Sequence, residues 1–295
     1  MQKRNILNSQ GLLELKKRRQ RAILNKFFIF LLGLALIFIF LVYISRIDRL
    51  NIKEIEIAGN KIVETETIKT TIEQQIARKY LWIFPKANIL YYPKNTIKNE
   101  LQNKFKRLKD ISLSIKDNKI LKVSLSERLA LYIWCGAMSP EALLLEDSRS
   151  KASGEKCYFL DEDGYVFDEA PYFSGDVYFK FYGSLDTDNP LGSYFSKQNF
   201  KQLISFKDIL TNMKLKIIAL SIINNEDAEM ILVKGRFSIT EPKIIFKINA
   251  DFQNIAENLQ AAINTEPLQS KFKNKYGTLQ YIDLRFENKV YDKFQ

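Results

Sequence analysis

Eighteen consecutive residues, Phe27 to Ile44, carry no charge, and fifteen of them are Phe, Ile, Leu or Val. At roughly −0.3 to −0.6 kcal/mol per such residue, the segment favours a bilayer by roughly 5–9 kcal/mol. As a helix it measures roughly 27 Å, enough for a hydrocarbon core of about 30 Å when Lys26 and Arg46 snorkel at its ends. A buried core helix of this length would ordinarily keep a polar face. A cleaved signal peptide would have a shorter apolar region, and Ser45-Arg46-Ile47-Asp48 offers no small-residue cleavage site. Residues 27–45 therefore read as an uncleaved signal anchor. Gly33 and Ala35 are its only small residues. They form no small-xxx-small face, so a generic apolar helix with the same flanks is expected to replace it.

Charge sets the orientation. Residues 1–26 carry eight basic side chains, including Lys3, Arg4, Lys16, Lys17, Arg18, Arg19, Arg21 and Lys26, against the single acid Glu14. Arg46, Asp48 and Arg49 follow the helix and nearly balance. The positive-inside rule then places a cytoplasmic tail at 1–26 and a body of about 250 residues outside the membrane. The formal charge of +11 is thus misleading as a sign of nucleic acid. The tail holds +7 of it, while the body's 37 basic and 33 acidic residues leave only +4. Lys16, Lys17, Arg18, Arg19, Arg21 and Lys26 read as topogenic residues and as a contact for anionic membrane lipid.

Histidine is absent, which removes a His general base, a Ser-His-Asp triad and His metal ligands. Two cysteines cannot by themselves make a structural zinc site. No cofactor or metal site is expected. Cys135 and Cys157 flank an irregular stretch, in segments able to pair as neighbouring strands and in a compartment that permits disulfides. A bond between them is one reading; two buried free thiols is the other.

Beyond the anchor, Leu50 to Ala58 reads as a strand with Ile52, Ile55 and Ile57 apolar, and Gly59-Asn60 as a turn. Thr65 or Thr67 can cap a helix with Ile68, Ile72 and Ile76 on one face. Pro85 interrupts, and Pro93 opens a second helix carrying Ile97, Leu101 and Phe105. Strands at 111–115 and 121–125 follow, joined at Asp117-Asn118. Strand, helix, helix, strand, strand makes a small α+β layer.

That order behind a signal anchor resembles a POTRA domain, here 46–128. Ile55-Glu56-Ile57-Ala58-Gly59-Asn60 is similar to the family's Ile-x-Val-x-Gly-Asn opening. Ala87-Asn88-Ile89-Leu90 is similar to its Asn-Leu-Phe segment. Leu121 to Arg128 matches the closing Leu-x-Ile-x-Val-x-Glu-Arg strand, and Ala130 with Trp134 resembles Pro-x-Ala-x-Trp, with Leu129 where proline is usual.

Residues 136–156 read as an exposed loop. Tyr158 to Phe167 places aromatic segments on both sides of Asp163-Gly164, a hairpin signal. An EF-hand would need a glutamate where Tyr172 stands. A helix from Ser196 carries Phe200, Leu203, Phe206, Leu210 and Met213. Strands are expected at 217–223, 229–233, at Gly235 with 237–239, and at 243–247. A helix from Asp251 to Asn264 carries Phe252, Ile255, Leu259 and Ile263. From Tyr281 to Tyr291, Ile282, Leu284, Phe286 and Val290 alternate with charged residues as in one half-buried strand.

The whole now resembles the FtsQ/DivIB cell-division proteins. Tyr158-Phe159-Leu160-Asp161 with Gly164 and Phe167 is similar to that family's Tyr-x-x-Asp-x-x-Gly-x-Val-Phe entry to its β domain, here 129–295. Ile282-Asp283-Leu284-Arg285-Phe286 is similar to its terminal Ile-Asp-Leu-Arg-Tyr. The expected fold is α+β: one transmembrane helix, a POTRA domain and a mainly antiparallel β domain with flanking helices. The resemblance implies a non-enzymatic divisome scaffold in the cytoplasmic membrane at the division site. Its implied partners are small proteins of the FtsB/DivIC and FtsL kind, linked to septal peptidoglycan synthesis.

Two rivals stand beside it. A membrane-anchored cell-wall enzyme could use paired carboxylates, with Asp161, Glu162 and Asp163 the obvious acids, though acids in a hairpin turn are expected to be solvated. A POTRA receptor for outer-membrane protein assembly would need a many-stranded membrane barrel that the remaining residues do not supply. The resemblance points to the C-terminal strand as the docking site, with Asp283, Arg285, Phe286, Glu287, Asn288 and Lys289 the partner-binding residues. Only four residues follow Tyr291, so the strand is expected at a sheet edge, where it could recruit a partner strand. Arg285, Glu287 and Lys289 would face outward. Arg285→Glu is expected to weaken capture while leaving the fold intact.

Overall fold

The computed structural model describes residues 10–80, 82–136, 156–171, 173, 177–185, 187, 189–234, 241–286 and 289–295, with only the backbone of 10–13. Lys3 and Arg4, most of the 136–156 stretch, Tyr172, the strand expected at Gly235 and 237–239, and Glu287 with Asn288 lie outside the described residues. The chain divides into two compact units, residues 1–101 with 110–125 and residues 102–109 with 126–295.

The first unit begins with α1, Gln10–Ser45, 36 residues long. The helix runs back from the apolar segment through the basic tail, and Lys16, Lys17, Arg18, Arg19, Arg21 and Lys26 are all exposed on it. Among the described residues it is the one helix long and apolar enough to cross a membrane.

Three strands follow in the order β1 (Glu54–Ala58), β5 (Ile120–Glu127), β4 (Leu108–Lys116). β1 runs parallel to β5, with Ile55 opposite Leu121 and Ile57 opposite Val123. Asp117 and Asn118 both adopt positive φ (53° and 55°) between β4 and β5, as a tight hairpin turn requires. Two helices, α2 (Thr65–Ile76) and α3 (Lys94–Lys104), carry the expected apolar faces. Ile68, Ile72, Ile97 and Leu101 are fully buried, as are Leu121 and Val123 of the sheet. The cap of α2 differs from expectation. Glu64 is the N-cap and makes no side-chain cap bond, because Thr65 is already helical. Between the helices lies a short hairpin the sequence did not announce, β2 (Lys79–Tyr80) paired antiparallel with β3 (Phe84–Pro85).

The second unit is built on a nine-stranded sheet. Its strands are β6 (Tyr132–Trp134), β7 (Cys157–Leu160), β8 (Val166–Ala170), β9 (Phe179–Tyr182), β10 (Ile217–Ile222), β11 (Asp227–Leu232), β12 (Lys243–Lys247), β13 (Leu279–Phe286) and β14 (Lys289–Phe294). They lie in the order β14-β13-β12-β11-β10-β9-β6-β7-β8. Three neighbouring pairs, β9 with β10, β6 with β9 and β12 with β13, are parallel; the other five are antiparallel. The architecture is therefore mixed α+β with a large, mostly antiparallel sheet.

Helices α4 (Phe200–Asn212), α5 (Phe252–Ile263) and α6 (Leu268–Lys275) belong to this unit. Phe200, Leu203, Phe206 and Leu210 of α4 recur at helical spacing and are fully buried. Each contributes about 1.5–3 kcal/mol by leaving water. The Phe206 ring stacks on Phe252 of α5 and meets Phe246 of β12 edge-on, both with centroids 5.0 Å apart, so one aromatic side chain joins two helices to the sheet. Asp251 caps α5 by accepting from the backbone N–H groups of Gln253 and Asn254. α4 starts later than expected. Ser196 sits at φ 46° and its carbonyl accepts from the Phe200 N–H, so the helix proper begins there.

Candidate functional site

The alternation from Tyr281 to Tyr291 is not one strand. It is the hairpin β13–β14, and this corrects the expected edge. β13 is interior: Ile244 of β12 lies opposite Ile282 on one side, and Asp292 of β14 lies opposite it on the other. Among the described residues the sheet has β14, six residues long, at this edge and β8 at the other. Ile282 and Leu284 are buried and Val290 and Phe294 pack on the same core. Lys289, Tyr291 and Lys293 are exposed in between. Lys271 of α6 fastens the strand from the side by donating to Asp292 at 2.7 Å.

Arg285 does not face outward as a free charge. Its Nε donates to both oxygens of Asp283 (3.0 and 3.2 Å), its Nη2 donates to Asp283 Oδ2 at 2.6 Å, and its Nη1 donates to Asp227 of β11 at 3.0 Å. The Arg285 backbone N–H donates to Asp283 as well. Asp283, expected as a partner contact, is buried instead. Burial pushes its carboxyl up, but the hydrogen bonds and charge of Arg285 together outweigh that and hold it below the usual carboxylate range. The two carboxylates in turn raise the guanidinium further, Asp283 first and then Asp227. Arg285→Glu would gather three carboxylates at this point, so the substitution is expected to cost stability as well as capture.

What faces solvent is aromatic. Phe286 and Tyr291 are 51 % and 47 % exposed and meet edge-on with centroids 5.1 Å apart. Lys289 lies opposite Phe286 at the end of the hairpin, and Lys293 sits two residues beyond Tyr291. Sequence reasoning placed Phe286 and Lys289 in the site and missed Tyr291 and Lys293. The signal was present, since odd positions from 289 to 293 share one face. An edge strand with unpaired backbone groups, a half-exposed aromatic pair and flanking lysines can accept an added strand whose side chains meet rings and positive charge.

The acids of the 161–163 turn are elsewhere and are engaged. Asp161 is fully buried, contrary to its expected solvation. It accepts from the backbone N–H groups of Asp163 and Tyr165, both at 2.9 Å, and from Arg128 Nη1. The Arg128 guanidinium also lies 4.0 Å from the Tyr165 ring centroid. Lys109 donates to Glu162 at 2.6 Å, and Lys201 pairs with Asp163 at 2.8 Å. Those bonds hold both carboxyls low: Lys109 for Glu162 and Lys201 for Asp163. Each acid is committed to a basic partner and to the turn.

Cys135 and Cys157 are joined in a disulfide. β6 and β7 pair antiparallel with Trp134 opposite Tyr158, and the cysteines stand one step further along that register.

No protein-family model and no curated protein matches this chain.

Proposed function

We propose that the chain is a non-enzymatic, single-pass membrane scaffold of the FtsQ/DivIB type. Its N-terminal tail lies in the cytoplasm, its first α+β layer acts as a POTRA domain, and its second unit displays a docking edge outside the cytoplasmic membrane. Partners are small division proteins of the FtsB/DivIC and FtsL kind, which connect it to septal peptidoglycan synthesis. The reading rests on the resemblance in the motifs. One observation carries it furthest: β14 is an edge of the large sheet, with its Tyr291 half-exposed beside the half-exposed Phe286 at the end of β13. Exposed rings of this kind are the usual energetic anchors of an interface.

Co-purification tests it. The full chain and its Phe286→Ser/Tyr291→Ser double variant are each expressed with the two small division proteins. Capture should fall ten-fold or more in the variant, while its unfolding midpoint stays within a few degrees because both rings are already half in water. Equal capture would remove the edge from the proposal. Release of soluble fragments from peptidoglycan by the purified chain would favour an enzyme instead.

A further inference from the structure

The hairpin β2–β3 is tied to the membrane helix. The Phe84 ring meets Phe38 of α1 edge-on with centroids 5.8 Å apart. Asn88, just after the hairpin, donates through Nδ2 to the carbonyl of Ser45, the last residue of α1. Ile52 N–H donates to Ala87 O at 2.8 Å and Ile89 N–H donates to Leu50 O at 2.9 Å, which clamps residues 87–89 to the chain leaving the helix. Phe38 is seven residues before Ser45, roughly 10 Å down the helix axis. Whatever depth Phe38 occupies, Phe84 occupies too.

The rest of the hairpin suits that depth. Trp82 is 92 % exposed at the tip, in a positive-φ conformation (65°) that bulky residues seldom adopt. Tyr80 and Tyr91 extend the aromatic surface, their rings 6.1 Å apart, and Leu90 beside them is exposed. The hairpin satisfies part of its own backbone, Ile83 N–H donating to Tyr80 O and Lys86 N–H to Arg78 O, both at 3.0 Å. Lys79 and Lys86 stand at its base, with the Lys86 ammonium 4.7 Å from the Tyr80 ring centroid. Aromatic tip, basic base and internal hydrogen bonds match the interface of a bilayer.

We propose that the β2–β3 hairpin inserts into the lipid leaflet facing the body, with Trp82 as its anchor, and forms a second membrane contact beside α1. The inference rests on α1 being a membrane span. The occupant is lipid, because the ring contact with Phe38 makes the hairpin continuous with the helix's own lipid-facing surface.

Tryptophan fluorescence separates the outcomes, since the chain has two tryptophans. The other, Trp134, is buried and donates to Gly183 O at 2.9 Å. The full chain and its Trp82→Phe variant are reconstituted into phosphatidylcholine–phosphatidylglycerol vesicles containing acyl-brominated lipid in both leaflets. The difference between the two emission spectra isolates Trp82. That component should lose half or more of its intensity to brominated lipid and resist aqueous iodide. A Trp82 component quenched by iodide and untouched by brominated lipid overturns the insertion. Flotation of the vesicles after alkaline washing tests the span separately. Protein that floats yet shows iodide-quenched Trp82 sinks the hairpin alone, whereas protein that is stripped off sinks the span and the hairpin together.

Discussion

Arg285 grips Asp283, two positions back on the same strand, with three side-chain hydrogen bonds between 2.6 and 3.2 Å, and reaches across β12 to Asp227 with a fourth. A guanidinium fork held in this way is a fold element before it is a binding element. Arg285→Glu leaves Asp283 buried beside a new carboxylate. Arg285 is about one-third exposed, so solvent screens part of the cost. The expected loss is about 1–3 kcal/mol, read as a lower denaturant midpoint with unchanged slope. Arg285→Lys should fall between the two, because it keeps the charge and loses the fork. Unaltered stability in Arg285→Glu would mean the fork is decorative.

The same pair gives a pH dependence. Folding lowers the affinity of Asp283 for its proton, so in acid the unfolded chain binds more protons than the folded one. The stability Asp283 contributes is complete above the ordinary aspartate pKa of about 3.9 and is lost as pH falls below it through the lower folded value. Wild type should therefore lose stability more steeply below about pH 4 than Asp283→Asn does. Parallel stability curves in that window would contradict the assignment.

Arg128 and Asp161 form the more deeply buried pair, at 14 % and 0 % side-chain exposure. Arg128→Ala leaves a buried carboxylate with two backbone donors and no hydrogen-bonded counter-charge. It should cost about 3–5 kcal/mol. Lys109→Ala removes a pair whose acid is half exposed and should cost at most about 1 kcal/mol. Thermal unfolding of the two variants side by side measures the contrast, and equal shifts would reject it.

Much of this was legible, and the exceptions have physical reasons. The long apolar helix is legible because its apolar residues run without a break over about the length that lipid demands. α4 is legible because Phe200, Leu203, Phe206 and Leu210 repeat at helical spacing. The Asp163-Gly164 turn is legible too, and Gly164 indeed adopts φ 75°. The hairpin β13–β14 was hidden by parity. Ile282 and Leu284 before the turn and Val290 and Phe294 after it all pack on one core, so apolar even positions continue past the turn and the pattern reads as one strand. Asp161 was hidden because its partner, Arg128, lies 33 residues away, and an acid in an Asp-Glu-Asp run looks solvated. Burial of Asp283 was hidden in the same way, since alternation marks it as an outward residue. The strands β2 and β3 are two residues each, too short for any period to show.

The disulfide makes a direct chemical prediction. Alkylation of denatured, unreduced protein should label neither cysteine, and alkylation after reductant should label both. Closing a loop of 22 residues contributes about 3 kcal/mol in the chain-entropy model, so reductant should lower the unfolding midpoint of the second unit. Two labelled thiols before reduction would show the bond to be absent.

Gly59 is the most exacting position in the first unit. It has φ 100°, and a Cβ placed there would lie 1.8 Å from the carbonyl oxygen of Leu125 on β5. The obstacle is backbone, so no rotamer change relieves it, and β1 would have to leave its parallel register with β5. Asn60, the next residue, donates through Nδ2 to Val63 O and to Thr65 Oγ1, both at 2.8 Å, and so sets the path from β1 into α2. Gly59→Ala should destabilise the first unit by more than about 3 kcal/mol, whereas Asn60→Ala, which loses hydrogen bonds without a clash, should cost about 1 kcal/mol. Amide hydrogen exchange of β1 and β5 reports on that unit directly. Protection at 54–58 that survives Gly59→Ala would show that the strand can yield at no cost, and the close approach would then not be what fixes glycine there.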